Sequence, residues 1–336
     1  MKKKPMVAVL GSGSWGTTLA HLMASNGHDV TLWCRRKKTA NEVNRKRTNV
    51  QYLGDASLAS GIFATTDLEE AVSGVPLLLL VIPSKSFRSV CAQLGPLVTP
   101  QQWVVHATKG FELQTHLRMS EVLVQETCIR QLGVLSGPNI APEIIAGKPA
   151  GTTIASPFPK VVQRACDLLL SDRFRVYSSF DVVGTELAGA LKNIVAIAAG
   201  IAAQFQLGEN AKALLITRGL GEIARLGSAL GADPRSFSGV AGVGDLIVTC
   251  ASPLSRNHRV GAALGRGEAL PNIIKELGMV AEGVNTCLTA HELVDKLGID
   301  APLLQAVHRV VHEGLSPQTA LASLMALESR PDVHLA

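Results

Sequence analysis

Aromatic side chains are scarce in this sequence, which has 8 Phe, 3 Trp and 2 Tyr among its 336 residues. A protein that stacks nucleic-acid bases needs exposed aromatic side chains along a basic surface. Here the 32 basic residues are nearly balanced by 27 acidic ones. We therefore do not expect a nucleic-acid partner, whereas the net charge of +5 is compatible with a small anionic ligand.

Cysteine and histidine patterns typical of metal sites are also missing. The six cysteines form no CxxC pair and no zinc-like spacing, so we expect reduced thiols in a cytoplasmic protein. His308 and His312 lie four residues apart in a predicted helix, but the sequence indicates no third ligand near them. No metal site is predicted.

Long hydrophobic runs are absent as well. The longest apolar stretches, residues 77–82 and 194–203, are far shorter than the roughly 20 residues that cross a bilayer. Lysines at positions 2–4 resemble the start of an export signal, but the apolar run that follows ends at residue 10. We expect neither secretion nor membrane insertion.

The first half of the chain alternates buried strands with helices. Predicted strands cover residues 6–10, 30–34, 77–82, 103–108, 134–136, 152–155 and 174–178. Most of these runs are continuously apolar, which is typical of parallel strands covered by helices on both faces. The pattern predicts an α/β, Rossmann-type, doubly wound and mostly parallel sheet over residues 1–185.

The second half has no strand signal after about residue 184. Small and aliphatic residues dominate long segments such as 187–205 and 211–230, which are predicted helices. This pattern predicts an all-α domain over residues 186–336. The sequence shows no low-complexity linker, so we expect a continuous hinge between the domains.

A glycine motif links the first predicted strand to the first predicted helix. Residues 11–16 read GSGSWG and match GxGxxG in the strand–turn–helix context that dinucleotide binding requires. Gly11 would permit the tight turn, Gly13 the approach of a pyrophosphate, and Gly16 a close contact between helix and strand. The helix N-terminus would offer N–H groups to phosphate. The alternative is that these glycines only form a turn.

The end of the second predicted strand carries basic residues. It lacks the acidic residue that usually binds the ribose 2′-hydroxyl of NAD. Arg35 and Arg36 are found there instead, and a guanidinium group suits the 2′-phosphate of NADP. We expect NADP to be used at least as well as NAD, unless these arginines only begin a solvated helix.

Polar residues at predicted strand ends and inside an apolar helix form a candidate catalytic set. Lys109 and residues 136–139 follow two strands whose carboxyl ends should face a ligand crevice. Lys192 interrupts an apolar helix, where a buried ammonium needs a partner or a function, and Asp245 is a candidate partner. Arg256, between Ser255 and Asn257, is suited to a phosphate.

Taken together and in this order, these segments resemble the bacterial NAD(P)-dependent glycerol-3-phosphate dehydrogenase family. The resemblance covers essentially the whole chain. It is carried by GSGSWGTTLA at 11–20, ATKG at 107–110, SGP at 136–138 with Ala141 and Glu143, GALKN at 189–193, GDLIVTC at 244–250, SRN at 255–257 and EG at 282–283.

The resemblance implies interconversion of dihydroxyacetone phosphate and sn-glycerol 3-phosphate with NADP (NADPH) or NAD (NADH), as a supply for phospholipid synthesis. It implies that Lys192 binds substrate and transfers the proton, while Lys109 and Asp245 orient the substrate's oxygens. The other implied substrate-binding positions are Gly137, Asn139, Ser255, Arg256 and Asn257. The implied dinucleotide-contacting positions are Ser14, Trp15, Arg35, Lys109, Ala141, Arg256, Val280 and Glu282. We also expect a homodimer.

Two other functions remain open at this point. Another two-domain reductase, acting on a 2-hydroxy or 3-hydroxy acid, could use Arg256 for a substrate carboxylate. A non-catalytic dinucleotide sensor could use the same glycine turn, but it would not need Lys192 inside an apolar helix.

Overall fold

The computed structural model describes residues 6–278 and 281–328, and within them eight strands form one sheet in the order β3-β2-β1-β4-β5-β6-β7-β8. The strands are β1 Val7–Leu10, β2 Val30–Trp33, β3 Ile62–Thr65, β4 Leu77–Leu80, β5 Trp103–His106, β6 Leu132–Ser136, β7 Ala150–Ala155 and β8 Phe174–Ser179. All neighbouring strands are parallel except β6 and β7, which are antiparallel. The predicted doubly wound, mostly parallel sheet is confirmed.

Helices cover both faces of this sheet. They are α1 Ser14–Ser25, α2 Lys37–Lys46, α3 Val50–Leu53, α4 Leu68–Val72, α5 Ser84–Leu94, α6 Met119–Glu126, α7 Ala141–Ile145 and α8 Pro159–Leu169. Successive side chains of a strand point to opposite faces. In β1, Val7 and Val9 therefore join one hydrophobic cluster, and Ala8 and Leu10 join another. This two-sided burial explains the continuously apolar strands.

Strand β3 is the element that sequence analysis missed. It has only four residues, lies at an edge of the sheet, and places Phe63 half exposed to solvent. A short edge strand buries one face, so its sequence lacks the continuous hydrophobicity that revealed the central strands.

The second half is helical, as predicted. Its helices are α9 Val182–Gln204, α10 Gly208–Ala229, α11 Asp245–Ala251, α12 Arg256–Gly265, α13 Leu270–Leu277, α14 Glu282–Leu297, α15 Pro302–His312 and α16 Pro317–Met325. The predicted boundary at residues 185/186 falls in the first turn of α9, just after β8, and stays a prediction.

Helix α9 forms the centre of the helical part. Among the described residues it is the one helix long and apolar enough to cross a membrane, with a mean hydropathy of 1.5. The apolar stretch at residues 194–203 is the uninterrupted part of this helix, which the polar residues Glu186, Lys192 and Asn193 divide. Of the 18-residue apolar segment within this helix, 89% is buried inside the protein, as in a core helix.

Candidate active site

The turn between β1 and α1 has the shape that the glycine motif predicts. Gly11 has a φ of +120°, and a Cβ there would lie 2.2 Å from the carbonyl oxygen of Val81. A Cβ on Gly16 would lie 1.9 Å from the oxygen of Gly11. A Cβ on Gly13, by contrast, would meet no described atom within 4 Å. Packing thus requires the first and third glycines, while the second faces open space.

This open space suits a pyrophosphate. It lies at the N-terminus of α1, whose first N–H groups have no partner within the helix and carry a partial positive charge. The residues present therefore fit the dinucleotide that the motif implies.

Neighbouring residues support the turn from two sides. Asn49 is fully buried, and its amide donates to the backbone oxygen of Ser12 at 3.0 Å. The Ser14 hydroxyl donates to a backbone carbonyl of α3 at 3.3 Å. The Trp15 ring packs against Phe174, with ring centroids 6.5 Å apart. Sequence analysis missed Asn49, because nothing local indicates that a distant asparagine returns to this turn.

The two arginines expected to read the 2′-phosphate directly follow β2. Arg35 and Arg36 are both exposed, and Arg36 precedes the first residue of α2. The Arg36 guanidinium donates to the side chain of Gln51 at 3.1 Å. Because β2 is next to β1 and parallel to it, these guanidinium groups share the carboxyl edge of the sheet with the glycine turn.

A buried carboxylate joins two lysines from distant parts of the chain. Asp245, the first residue of α11, is only 2% exposed. One of its oxygens accepts a hydrogen bond from Lys192 on α9, and the other accepts from Lys109, after β5, at 2.5 Å. Lys192 also donates to Thr249 at 2.5 Å, and Lys109 to the oxygen of Gly137 at 3.2 Å. The structure thus brings together three residues that the sequence separates widely.

The electrostatics of this group make Lys192 a candidate proton carrier. Burial lowers the pKa of Lys192, the negative charge of Asp245 opposes this, and the nearby Lys109 lowers it further, to about 8. A group with a pKa near the working pH can both donate and accept a proton efficiently. An exposed lysine, with a pKa near 10.4, would almost never be a free base.

Small residues allow α9 to approach the sheet edge. A Cβ on Gly189 would lie 2.7 Å from the hydroxyl oxygen of Ser136, the last residue of β6. A Cβ on Gly137 would lie 2.9 Å from the Cα of Thr152 in β7. The close approach at Gly189 places Lys192 of α9 beside the carboxyl ends of β5 and β6, whereas that at Gly137 packs the loop after β6 against β7.

Asn139 is engaged inside the sheet domain. Its amide donates to the oxygen of Gly151 at 3.0 Å, and its carbonyl accepts from the Thr152 hydroxyl at 3.1 Å. The side chain thus fastens the loop after β6 to β7. Ala141, another expected ligand position, is buried at the start of α7 in the same loop region.

The three residues expected to bind phosphate have different surroundings. Ser255 caps α12, accepting from the backbone N–H of His258 at 3.3 Å. Asn257 is buried and accepts from the N–H of Gly283 at 3.0 Å. Arg256 is exposed at the first position of α12 and interacts electrostatically with Glu282. Burial lowers the pKa of the Arg256 guanidinium, so this group is partly shielded from solvent although the residue as a whole is exposed.

Glu282 joins the helical domain to the sheet edge. It begins α14, and its carboxylate accepts from the N–H of Ser84 at 3.2 Å and from the Ser84 hydroxyl at 2.5 Å. Ser84 is the first residue of α5, four residues after the end of β4. Sequence analysis missed this serine as the partner of Glu282. Val280, an expected cofactor contact, lies outside the described residues.

A second buried polar group connects α9 to the sheet. The Glu186 carboxylate lies 3.0 Å from the His106 ring and accepts from Arg118 at 2.6 Å and from the Ser120 hydroxyl at 2.7 Å. Burial alone would raise the pKa of Glu186, but His106 and Arg118 outweigh it and lower that pKa to about 2. The only sequence signal for this group is an acidic residue in an apolar helix.

In the helical domain, His308 lies near two other side chains that can bind a metal ion. His291 of α14, His308 of α15 and Glu313, just after α15, each offer one side-chain ligand atom. These three atoms lie within 4.8 Å of one another. This set does not include His312, so the prediction made for the pair His308 and His312 stays a prediction, while the packing of α14 beside α15 brings His308 a different neighbour in His291.

Comparison with known protein families accounts for both halves of this architecture. Models of the NAD-dependent glycerol-3-phosphate dehydrogenase N-terminus and C-terminus match residues 6–162 and 181–322. The chain belongs to this family. The resemblance stated from the sequence is confirmed, and with it the class of NAD(P)-dependent oxidoreductase.

Individual relatives match over almost their full length. A glycerol-3-phosphate dehydrogenase (NAD(P)⁺) from Exiguobacterium sp. is 47% identical over 98% of this chain and 96% of that protein. One from Acinetobacter baumannii is 46% identical over 98% and 92%. The crystal structure of glycerol-3-phosphate dehydrogenase from Coxiella burnetii has a TM-score of 0.92 at 37% identity, covering 96% of this chain and 99% of that one.

More distant structures share the fold alone. A ketopantoate reductase from Ralstonia eutropha is 17% identical, with a TM-score of 0.56 over 94% of this chain and 99% of that one. The two-domain architecture by itself therefore does not distinguish a glycerol-3-phosphate dehydrogenase from a ketopantoate reductase.

Proposed function

We propose that this dehydrogenase interconverts dihydroxyacetone phosphate and sn-glycerol 3-phosphate and uses NADP at least as well as NAD. The observation that carries the proposal is the buried Asp245 carboxylate holding the ammonium groups of Lys109 and Lys192 at the carboxyl edge of the sheet. Parallel neighbouring strands bring the glycine turn after β1 to the same edge.

Lys192 is the proton donor in ketone reduction. When bound, the nicotinamide supplies the hydride that reduces the carbonyl carbon. Lys192 gives its proton to the carbonyl oxygen, which becomes the alcohol, and the neutral amine recovers a proton from solvent. In the reverse direction the neutral amine accepts the alcohol proton.

Lys109 and Asp245 position the reacting groups. The Lys109 ammonium, partly open to solvent, binds a substrate oxygen by a charge-assisted hydrogen bond. Asp245 holds both ammonium groups in place and partly offsets the cost of burying Lys192.

The substrate phosphate binds at the N-terminus of α12. Arg256 supplies a two-pronged guanidinium there, and the helix N-terminus adds a partial positive charge. Gly137, Asn139, Ser255 and Asn257 complete the proposed substrate site. The side-chain bonds of Asn139, Ser255 and Asn257 favour a role in shaping its loops.

The dinucleotide lies along the carboxyl edge of the sheet. Gly11, Gly13 and Gly16 with the α1 N-terminus hold the pyrophosphate, and Arg35 and Arg36 hold the 2′-phosphate. The remaining proposed contacts are Ser14, Trp15, Lys109, Ala141, Arg256, Val280 and Glu282.

We further propose a cytoplasmic homodimer that supplies glycerol 3-phosphate for phospholipid synthesis. The six cysteines, all within the described residues, are unpaired, which suits a reducing compartment. The outer edge of β8 carries half-exposed Tyr177, followed by the largely exposed Phe180, a surface suited to self-association. Sedimentation of the purified protein tests the dimer.

Steady-state reduction of dihydroxyacetone phosphate with NADPH and with NADH tests the activity. Lys192→Ala should lower turnover about 10²–10⁴-fold, the usual contribution of general acid–base catalysis. Lys212→Ala, which removes a lysine paired with Glu209 on α10, is the matched control and should keep normal turnover. Retention of more than about a tenth of turnover by Lys192→Ala would exclude the proton-transfer role.

Substrate profiling separates the remaining functions. Faster reduction of 2-keto or 3-keto acids than of dihydroxyacetone phosphate would identify a hydroxy-acid reductase. NADPH binding without oxidation in the presence of any of these ketones would identify a dinucleotide sensor.

A further inference from the structure

Helices α14 and α15 bring together side chains that the proposed reaction does not use. His308 is 6% exposed, and its ring stacks on that of His291 with centroids 3.9 Å apart. One Glu313 oxygen lies 3.4 Å from the Nδ1 of His308. Because His291 is nine residues after the start of α14, the group lies about 13 Å along the helix axis from Glu282.

Two nitrogens in this group are buried without a hydrogen-bond partner. Among the described residues, no group donates to or accepts from the Nδ1 of His291 or the Nδ1 of His308. The Glu313 oxygen near His308 is not in hydrogen-bonding geometry with it. Buried polar atoms are normally satisfied, so these two nitrogens beside a carboxylate are available to bind a ligand.

The neighbouring groups prepare these nitrogens to act as ligands. The Nε2 of His291 lies 3.5 Å from Asp295, a partner that favours a proton on Nε2 and leaves the lone pair on Nδ1. Metal ions bind the neutral form of imidazole.

We propose that His291, His308 and Glu313 bind a divalent transition-metal ion of the zinc class. Two imidazole nitrogens and a carboxylate oxygen are a ligand set that zinc accepts, with a fourth position left for water. The three ligand atoms lie within 4.8 Å of one another, whereas ligands of tetrahedral zinc are about 3.4 Å apart for Zn–N bonds of about 2.0–2.1 Å. Metal binding must therefore draw these atoms together and turn the stacked rings of His291 and His308 so that each nitrogen points at the ion. Glu313, just after α15, is half-exposed and lies 3.6 Å from Arg309.

Titration of the untagged, chelator-treated full chain with Co²⁺ tests the site. We expect the visible absorption bands of a four- or five-coordinate Co²⁺ ion, saturating at one ion per chain and abolished by Zn²⁺. Zn²⁺ should also raise the melting temperature, because a ligand that binds only the folded state stabilises it. Absence of both the bands and the thermal shift would overturn the proposal.

Variants at accessible positions assign the ligands without disturbing buried His308. His291→Gln and Glu313→Gln should each weaken Co²⁺ binding at least about 10–100-fold, since even changes outside the ligand shell have effects of that size. Glu292→Gln, which removes a carboxylate next to His291 that pairs instead with His116, should bind like the wild type. Equal binding by all three variants, or equal loss in all three, would place the metal elsewhere and refute the assignment.

Discussion

Asp245→Asn should change the pH at which this dehydrogenase works. Asp245 is bonded to both Lys109 and Lys192, and its negative charge raises the pKa of Lys192 against the effect of burial. An asparagine keeps one acceptor oxygen and turns an NH₂ donor toward the second ammonium. One lysine therefore loses its partner, and both lose the compensating charge.

The size of the shift follows from the geometry. A contact ion pair contributes roughly 4 kcal/mol at an effective dielectric constant of about 20, and one pKa unit corresponds to about 1.4 kcal/mol. The pKa of Lys192, about 8 in the wild type, should therefore fall by about one to three units. A fall of about two units would leave roughly a tenth of the enzyme protonated at pH 7 and lower ketone reduction about tenfold.

The assay is kcat/KM for dihydroxyacetone phosphate at saturating NADPH, measured across the pKa of Lys192. The wild type should lose reduction activity as the pH rises through about 8, because Lys192 must be protonated to donate. In Asp245→Asn this decline at high pH, the alkaline limb of the reduction profile, should move to lower pH. The rise of alcohol oxidation with pH, which depends on the neutral form of Lys192, should move by the same amount.

Glu222→Gln provides the matched control. Glu222 is also a buried carboxylate of the helical domain, but it accepts from the backbone N–H groups of Leu303 and Leu304 at 3.0 and 2.9 Å. Its replacement should cost stability and leave the alkaline limb of reduction in place. A rate loss in Asp245→Asn with an unmoved limb would refute the claim that Asp245 tunes the Lys192 proton.

Three further predictions concern other groups. Arg256→Lys keeps the positive charge but loses the planar guanidinium that donates two parallel hydrogen bonds, so kcat/KM for dihydroxyacetone phosphate should fall roughly 10- to 150-fold. An equal loss for unphosphorylated dihydroxyacetone at saturating NADPH would contradict phosphate recognition by Arg256. Replacing Arg35 and Arg36 together by Ala should raise KM for NADPH far more than for NADH. Equal effects on both cofactors would show that the two arginines act only through their positive charge and do not recognise the 2′-phosphate. The pKa of Glu186 is lowered from 4.5 to about 2, so its stabilising effect is complete above pH 4.5 and disappears as the pH falls toward 2. Urea unfolding should show that the free energy of unfolding falls with pH in this acidic range. Glu186→Gln should lower the free energy of unfolding on the order of 3 kcal/mol at neutral pH and reduce this dependence on pH.

Local sequence patterns determined the architecture because burial and backbone conformation leave local signatures. The GxGxxG turn could be read directly, since Gly11 and Gly16 are required by contacts within one strand–turn–helix unit and its nearest strand. Continuous apolar runs revealed β1 and β4, because both of their faces are covered. The edge strand β3 escaped detection for the same reason, since the half-exposed Phe63 breaks that pattern.

Tertiary structure alone decided which distant side chains meet. The sequence suggested Asp245 as a partner for Lys192, but only the packing of α9 and α11 against the sheet edge placed one carboxylate between two lysines. The same holds for the hydrogen bond between Ser84 and Glu282, which lie 198 residues apart in the chain. The contact of His291 with His308 is a further case, because it depends on the pairing of two helices. Hydrophobic periodicity encodes which face of an element is buried, and the identity of the element that covers that face arises only from the complete fold.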